Sequence, residues 1–151
     1  MNIINGTENT KVLSGEERVL SHFYSAFNNA DMTQMQSNWS VDLNPVMSNP
    51  LGGKKKGWEE IQQVYQKIFK GPAEVFVEFY DYQIHSTDHM FSAAGKEKGY
   101  VKINGNKIEL DIRTSRIFQR ESGQWKQVHH HGSIDKPELL KTYQQAVLAA
   151  N

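Results

Sequence analysis

Hydrophobic positions change period once along this chain: helical spacing governs up to about residue 70, and alternation takes over from Ala73. Val19, Leu20, Phe23, Phe27 and Ala30 share one helical face. Ahead of them, Ser14-Gly15-Glu16-Glu17 fits a capping box, in which hydroxyl and carboxylate each satisfy an orphan helix N–H. Asn28-Asn29 ends this helix, and Asp31 can cap a short second one presenting Met32, Met35 and Trp39. The stretch VDLNPVMSNPLGGKKKG, with two prolines and three glycines, reads as loop or irregular strand. A third helix carries Trp58, Ile61, Tyr65, Ile68 and Phe69 and stops at Gly71-Pro72.

Four strands follow: AEVFVEFYDYQIH, MFSAAGKEKGYVKI, KIELDIRTSRIFQR and QWKQVHHHGSI. Their short connections (STD, NGN and ESG) predict an antiparallel meander rather than β-α-β units. A last helix begins after Asp135, with Pro137 in its first turn and Leu139, Leu140, Tyr143 and Val147 on its face. Helices, a curved antiparallel sheet and a final helix make an α+β domain, and 151 residues suit a single one. Residues 1–13 are polar and expected as a frayed arm, and residues 135–151 as the C-terminal helix.

Strand parity sorts the polar groups. In the third strand Leu110, Ile112, Thr114, Arg116 and Phe118 share the apolar, covered face, with a guanidinium in its middle. An unpaired charge there costs several kcal/mol. The preceding strand offers Glu97 on a face shared with Phe91, Ala93 and Gly95. A turn at Gly105-Asn106 sets Glu97 opposite Thr114; a turn at Asn104-Gly105 keeps the faces and moves Glu97 further from Arg116. Either way the pair is an ion pair bracing a bent sheet or a pair that reads a ligand.

His129, His130 and His131 must split between faces. With Glu121-Ser122-Gly123 as a three-residue loop, Val128, His130 and Gly132 point inward, and His129, His131 and Trp125 outward; a two-residue loop reverses this. His129 and His131 then have the spacing of a strand metal pair, with Asp135 four residues on. The glycine- and proline-bearing parts of a cupin motif are missing, so metal binding is the weaker alternative and no metal or cofactor is expected.

Composition narrows the classes. Lys+Arg and Asp+Glu are 17 each, so no net field favours nucleic acid or an anionic membrane. The absence of cysteine excludes disulfides and thiol catalysis. No apolar run approaches a membrane span, and MNIINGTENTK lacks the character of a signal peptide, so a cytoplasmic location is the expectation. Gly132-Ser133 is not in a nucleophile elbow, and Lys54-Lys55-Lys56 reads as a solvated loop.

The order of elements, and the segment Ser115-Arg116-Ile117-Phe118-Gln119-Arg120-Glu121-Ser122-Gly123-Gln124-Trp125-Lys126-Gln127-Val128-His129-His130-His131-Gly132-Ser133, resemble the nuclear transport factor 2-like superfamily. This is the cone-shaped α+β fold of SnoaL-like proteins and ketosteroid isomerases. The nearest likeness is to the calcium/calmodulin-dependent kinase II association domain, where a similar segment closes the sheet. Ile84-His85 matches a further strand end, and the likeness spans about residues 14–134. It implies a curved sheet wrapped around the N-terminal helices, with the arginine at the Arg116 position lining a pocket. Gly132 stands where the association domain has a further pocket arginine, and His130 replaces a phenylalanine. The catalytic set of ketosteroid isomerases has no counterpart by motif.

Two functions follow as expectations. One is a small-molecule pocket using Glu97, Arg116, His130, Thr114 and Trp39, in which Arg116 holds a carboxylate or enolate-like oxygen. Glu97 and His130 would be the candidate acid–base groups of an isomerase, cyclase or dehydratase. The other is a non-catalytic association module, dimerising through an outer face of Asp111, Arg113, Ser115, Ile117, His129, His131 and Trp125. The two are compatible.

Overall fold

The computed structural model describes residues 2–148. Met1 of the expected arm, and the last three residues of the 135–151 helix, lie outside the described residues. Strand β1 (Ile3–Ile4) leads into helices α1 (Gly15–Asn28) and α2 (Met32–Asn38), then short strands β2 (Val46–Ser48) and β3 (Lys55–Lys56) and helix α3 (Gly57–Lys70). Four long strands follow, β4 (Glu74–Ser86), β5 (Met90–Ile103), β6 (Asn106–Glu121) and β7 (Gln124–Ser133), and then helix α4 (Pro137–Leu148).

The helix starts obey the local chemistry. Ser14 accepts from Glu17 N–H while the Glu17 carboxylate accepts from Ser14 N–H, and Asp31 caps α2 by accepting from Gln34 N–H. The sheet runs β1-β4-β5-β6-β7-β2-β3 and is antiparallel throughout, except where β2 joins β7 in parallel. It is curved and unclosed, and the architecture is α+β as expected. The irregular segment thus supplies β2, whose fully buried Met47 lies beside His130. The first residues are not a free arm among the described ones: Ile3 and Ile4 pair with Tyr80 and Phe79, and Ile4 is buried.

Two bulges bend the sheet. In β4, Asp81 takes a left-handed backbone, and the strand gains a residue against β5 between Tyr80 and Gln83. Gly95 sits under this bulge, where a Cβ would lie 2.7 Å from that of Tyr82. The second bulge bears on the histidines. The β6–β7 connection is a two-residue turn, Ser122-Gly123, with both residues at positive φ, rather than the three-residue loop. Taken alone, that turn would place His130 outside. Val128 is the extra residue: Phe118 pairs with Gln127 and Ile117 with His129, so the faces switch and His130 returns to the inside opposite Arg116.

Two expectations are corrected by this register. Gln127, fully buried, takes the inward place expected for Val128. Trp125 is on the inner side, with its ring edge-to-face on Phe91 at 4.9 Å, and leaves the outer face. The β5–β6 turn is Asn104-Gly105, which sets Glu97 opposite Ile112 rather than Thr114.

Candidate functional site

The site begins with a charge the core cannot leave alone. Arg116 is 2 % exposed and stacks on Phe23, its guanidinium carbon 3.7 Å from the ring centroid. Although four register positions separate them, Glu97 and Arg116 meet: Arg116 Nη2 donates to Glu97 Oε2 at 3.1 Å. From α1, the Tyr24 hydroxyl donates to the same oxygen at 2.5 Å and accepts from Arg116 Nε at 3.4 Å.

On its other edge Arg116 Nη1 donates to Gln127 Oε1 at 2.8 Å, and Gln127 Nε2 donates to Asn38 Oδ1 at 3.0 Å. Asn38 in turn donates to the Val19 carbonyl and meets His22 Nδ1. Because a guanidinium and a carbonyl have fixed polarity, the orientation of both amides follows.

Burial sets the protonation states. It pushes the Tyr24 phenol well above its ordinary range, as does the neighbouring Glu97 carboxylate, so Tyr24 keeps its proton. Burial opposes the charge on Arg116, yet the Tyr24 hydroxyl that accepts from its Nε and the Glu97 carboxylate outweigh it and hold the guanidinium pKa above its usual value. His130 is held well below the usual imidazole range, by burial first and by Arg116 second. Its Nδ1 lies 3.2 Å from the Ser115 carbonyl, which can only accept, so Nδ1 carries the proton and Nε2 the lone pair.

Glu97, Arg116 and His130 line one cavity of about 40 Å³ inside the cone, with Tyr65, Ile112 and, from α4, Tyr143. That is room for a water-sized group. A wider hollow of about 700 Å³ lies on the surface between Leu51, Lys55, Val64 and Lys67, where no polar side chain is buried. Three of the residues expected at the site therefore converge. Trp39 and Thr114 are buried but do not line this cavity: Trp39 packs behind it on Tyr65, and Thr114 borders a separate hollow with Gly95 and Ser115. The Trp39 indole N–H comes near the Tyr65 hydroxyl without a well-formed hydrogen bond, and the Thr114 hydroxyl has no partner among the described residues.

Sequence reasoning missed Tyr24, Asn38, Gln127, Tyr65 and Tyr143 as polar members of this site. Tyr24 stood one turn beyond Leu20 on the buried face of α1, where a phenol needs an acceptor. The outer histidines do not join: His129 is half-buried, His131 is exposed, and among the described residues no three His, Asp or Glu side chains gather as a metal site.

A pH prediction follows from His130. Its depressed folded pKa contributes stability that is fully present above the unfolded value of about 6.5 and is lost as pH falls toward the folded one. Half-buried His22 and His129, also lowered chiefly by burial, act in the same direction. Urea unfolding between pH 7 and 5 should show stability falling by up to about 1.4 kcal/mol per pH unit for each such histidine. His130→Phe should flatten that slope, and an unchanged slope would place His130 in contact with water.

Residues 17–136 match the SnoaL-like domain, and the chain belongs to that family. No curated protein matches it. Among solved structures it is similar to a candidate dehydratase of the NTF2-like family from Streptomyces avermitilis, at 17% identity, covering 79% of this chain and 93% of that one, with a TM-score of 0.69. A candidate calcium/calmodulin-dependent protein kinase type II association domain from Thiobacillus denitrificans is 19% identical over 83% of this chain and 98% of that one, with a TM-score of 0.65. A candidate ketosteroid isomerase from Shewanella frigidimarina is 16% identical over 80% and 95%, also at 0.65. At these identities the likeness establishes the fold, which is the NTF2-like one expected. No helix among the described residues is long and apolar enough to cross a membrane.

Proposed function

We propose that this chain is a self-associating protein that holds a small polar molecule in its cone, beside Glu97, Arg116 and His130. The observation that carries the reading is the convergence of these three with Tyr65 and Tyr143 on one buried cavity. Membership of the SnoaL-like family supports it, as do structural neighbours named as a candidate dehydratase and a candidate ketosteroid isomerase. Any acid–base step of an isomerase, cyclase or dehydratase would fall first to His130, whose Nε2 lone pair is free. Glu97 already serves Arg116 and Tyr24 through one oxygen.

A second reading, the association module, draws on the closed Glu97–Arg116 pair and the small cavity. The outer face retains Asp111, Arg113, Ile117, His129 and His131, mixed in charge and apolar character, as a surface for a second copy. One of the neighbours is named as an association domain. Crystals of the protein as purified, with native mass spectrometry of the same sample, test both. Electron density against Arg116 and His130 and a matching bound mass support the cone as a ligand site. An empty, closed cone in a protein that sediments as a dimer leaves association alone.

A further inference from the structure

We propose that the cone takes an uncharged hydroxyl group of its ligand and turns carboxylates away. The proposal rests on the reading of the cone as a ligand site and adds the chemical class that enters it.

Two acceptors inside the cone lack donors among the described residues. Glu97 Oε2 receives both Tyr24 and Arg116, whereas Glu97 Oε1 meets no donor among the described residues, although the side chain is 6 % exposed. His130 is 5 % exposed; its Nδ1–H serves Ser115, and Nε2 has no donor either. Beside Nε2 stands Gly132, where a Cβ would lie 3.2 Å from Nε2 and 3.2 Å from Pro50 Cδ, so the absence of a side chain there keeps the lone pair open. Two nine-tenths-buried side chains thus bring one open acceptor each to the same small cavity.

The guanidinium is neutralised by Glu97 at 3.1 Å, its face is covered by Phe23, and Tyr24, Gln127 and Tyr65 stand around its other N–H groups. A ligand carboxylate would bring a second negative charge beside Glu97 with no water between them. An ammonium would sit beside Arg116 and meet the opposite penalty. A hydroxyl can donate to Glu97 Oε1 or His130 Nε2 and accept from the phenol of Tyr65 or Tyr143, which burial keeps protonated. The volume of about 40 Å³ admits such a group and little more, so the body of the ligand lies toward Asn49 and Pro50, which are only half-buried.

The test uses the full chain, labelled at histidine nitrogens and isoleucine methyls, titrated by NMR with ethylene glycol, glycolate or methylammonium. Ethylene glycol is expected to shift His130 Nε2 and the Ile112 methyls saturably, with both charged probes at least about tenfold weaker. Glu97→Gln should reverse the preference toward glycolate, because Arg116 then loses its counter-ion. If that variant does not fold, the wild-type comparison decides. Glycolate or methylammonium binding in the cone as tightly as the diol would overturn this proposal and leave the ligand site standing. No saturable shift from any probe would overturn the ligand site itself, and the hydroxyl preference with it.

Discussion

Arg116→Met should lower the unfolding free energy by about 3–5 kcal/mol in urea, because it leaves Glu97 buried with its charge uncompensated. Both side chains are nearly inaccessible, at 3% and 6 % exposure, so solvent does little to screen the loss. Phe23 and Tyr24 of α1 cover the guanidinium, and Phe79 backs Tyr24, so on that side only the water-sized cavity is left to hydrate the carboxylate. Glu97→Leu added to Arg116→Met should recover much of the loss, as buried pairs replaced together by apolar groups often do. Recovery stays incomplete: Tyr24 loses its acceptor and Gln127 its donor, at about 1–3 kcal/mol for each group left unpaired. A single variant that costs less than about 1 kcal/mol would mean that the pair is hydrated in solution.

Tyr143→Ala is the second large effect and separates stability from access. Tyr143 is 4 % exposed on α4 and lines the cavity that His130 also lines, and truncating a large buried ring to alanine costs about 3–5 kcal/mol. Because burial is the first cause holding the His130 pKa down, opening the mouth should move its NMR titration up toward the ordinary imidazole range. Val147→Ala is the comparison: it is buried on the same helix but does not line the cavity, so it should cost stability without moving His130. If the His130 titration stays where it is in Tyr143→Ala, α4 is not what seals the cone.

Much of this arrangement was legible in residue spacing. The capping box at Ser14, the inner face of β6 and the Glu97–Arg116 partnership follow from period and from the cost of a lone buried charge. The register of β7 was not legible, for an identifiable reason. Ser122 adopts a left-handed backbone that serine seldom takes, so the turn read one residue too long. The bulge at Val128 cancels that error at His130 but not at Gln127 or Trp125. Val-His-His-His has no alternation that would reveal a bulge. The two-residue strand β1 is too short to carry a period at all. Gln127 and Asn38 were passed over because amides give no apolar signal, and only the three-dimensional path from Arg116 explains why they are inside.

The Val128 bulge also bears on how this hairpin can change in length. One residue of β7 between the turn and the histidines has no partner on β6. Deleting Val128 itself would restore a regular ladder with Ile117 still opposite His129 and Arg116 still opposite His130. Deleting a residue nearer the turn would be taken up in the same way, with Val128 drawn into the place of Gln127. The strand therefore carries one residue of slack, and a single loss can be absorbed there without turning His130 out of the cone.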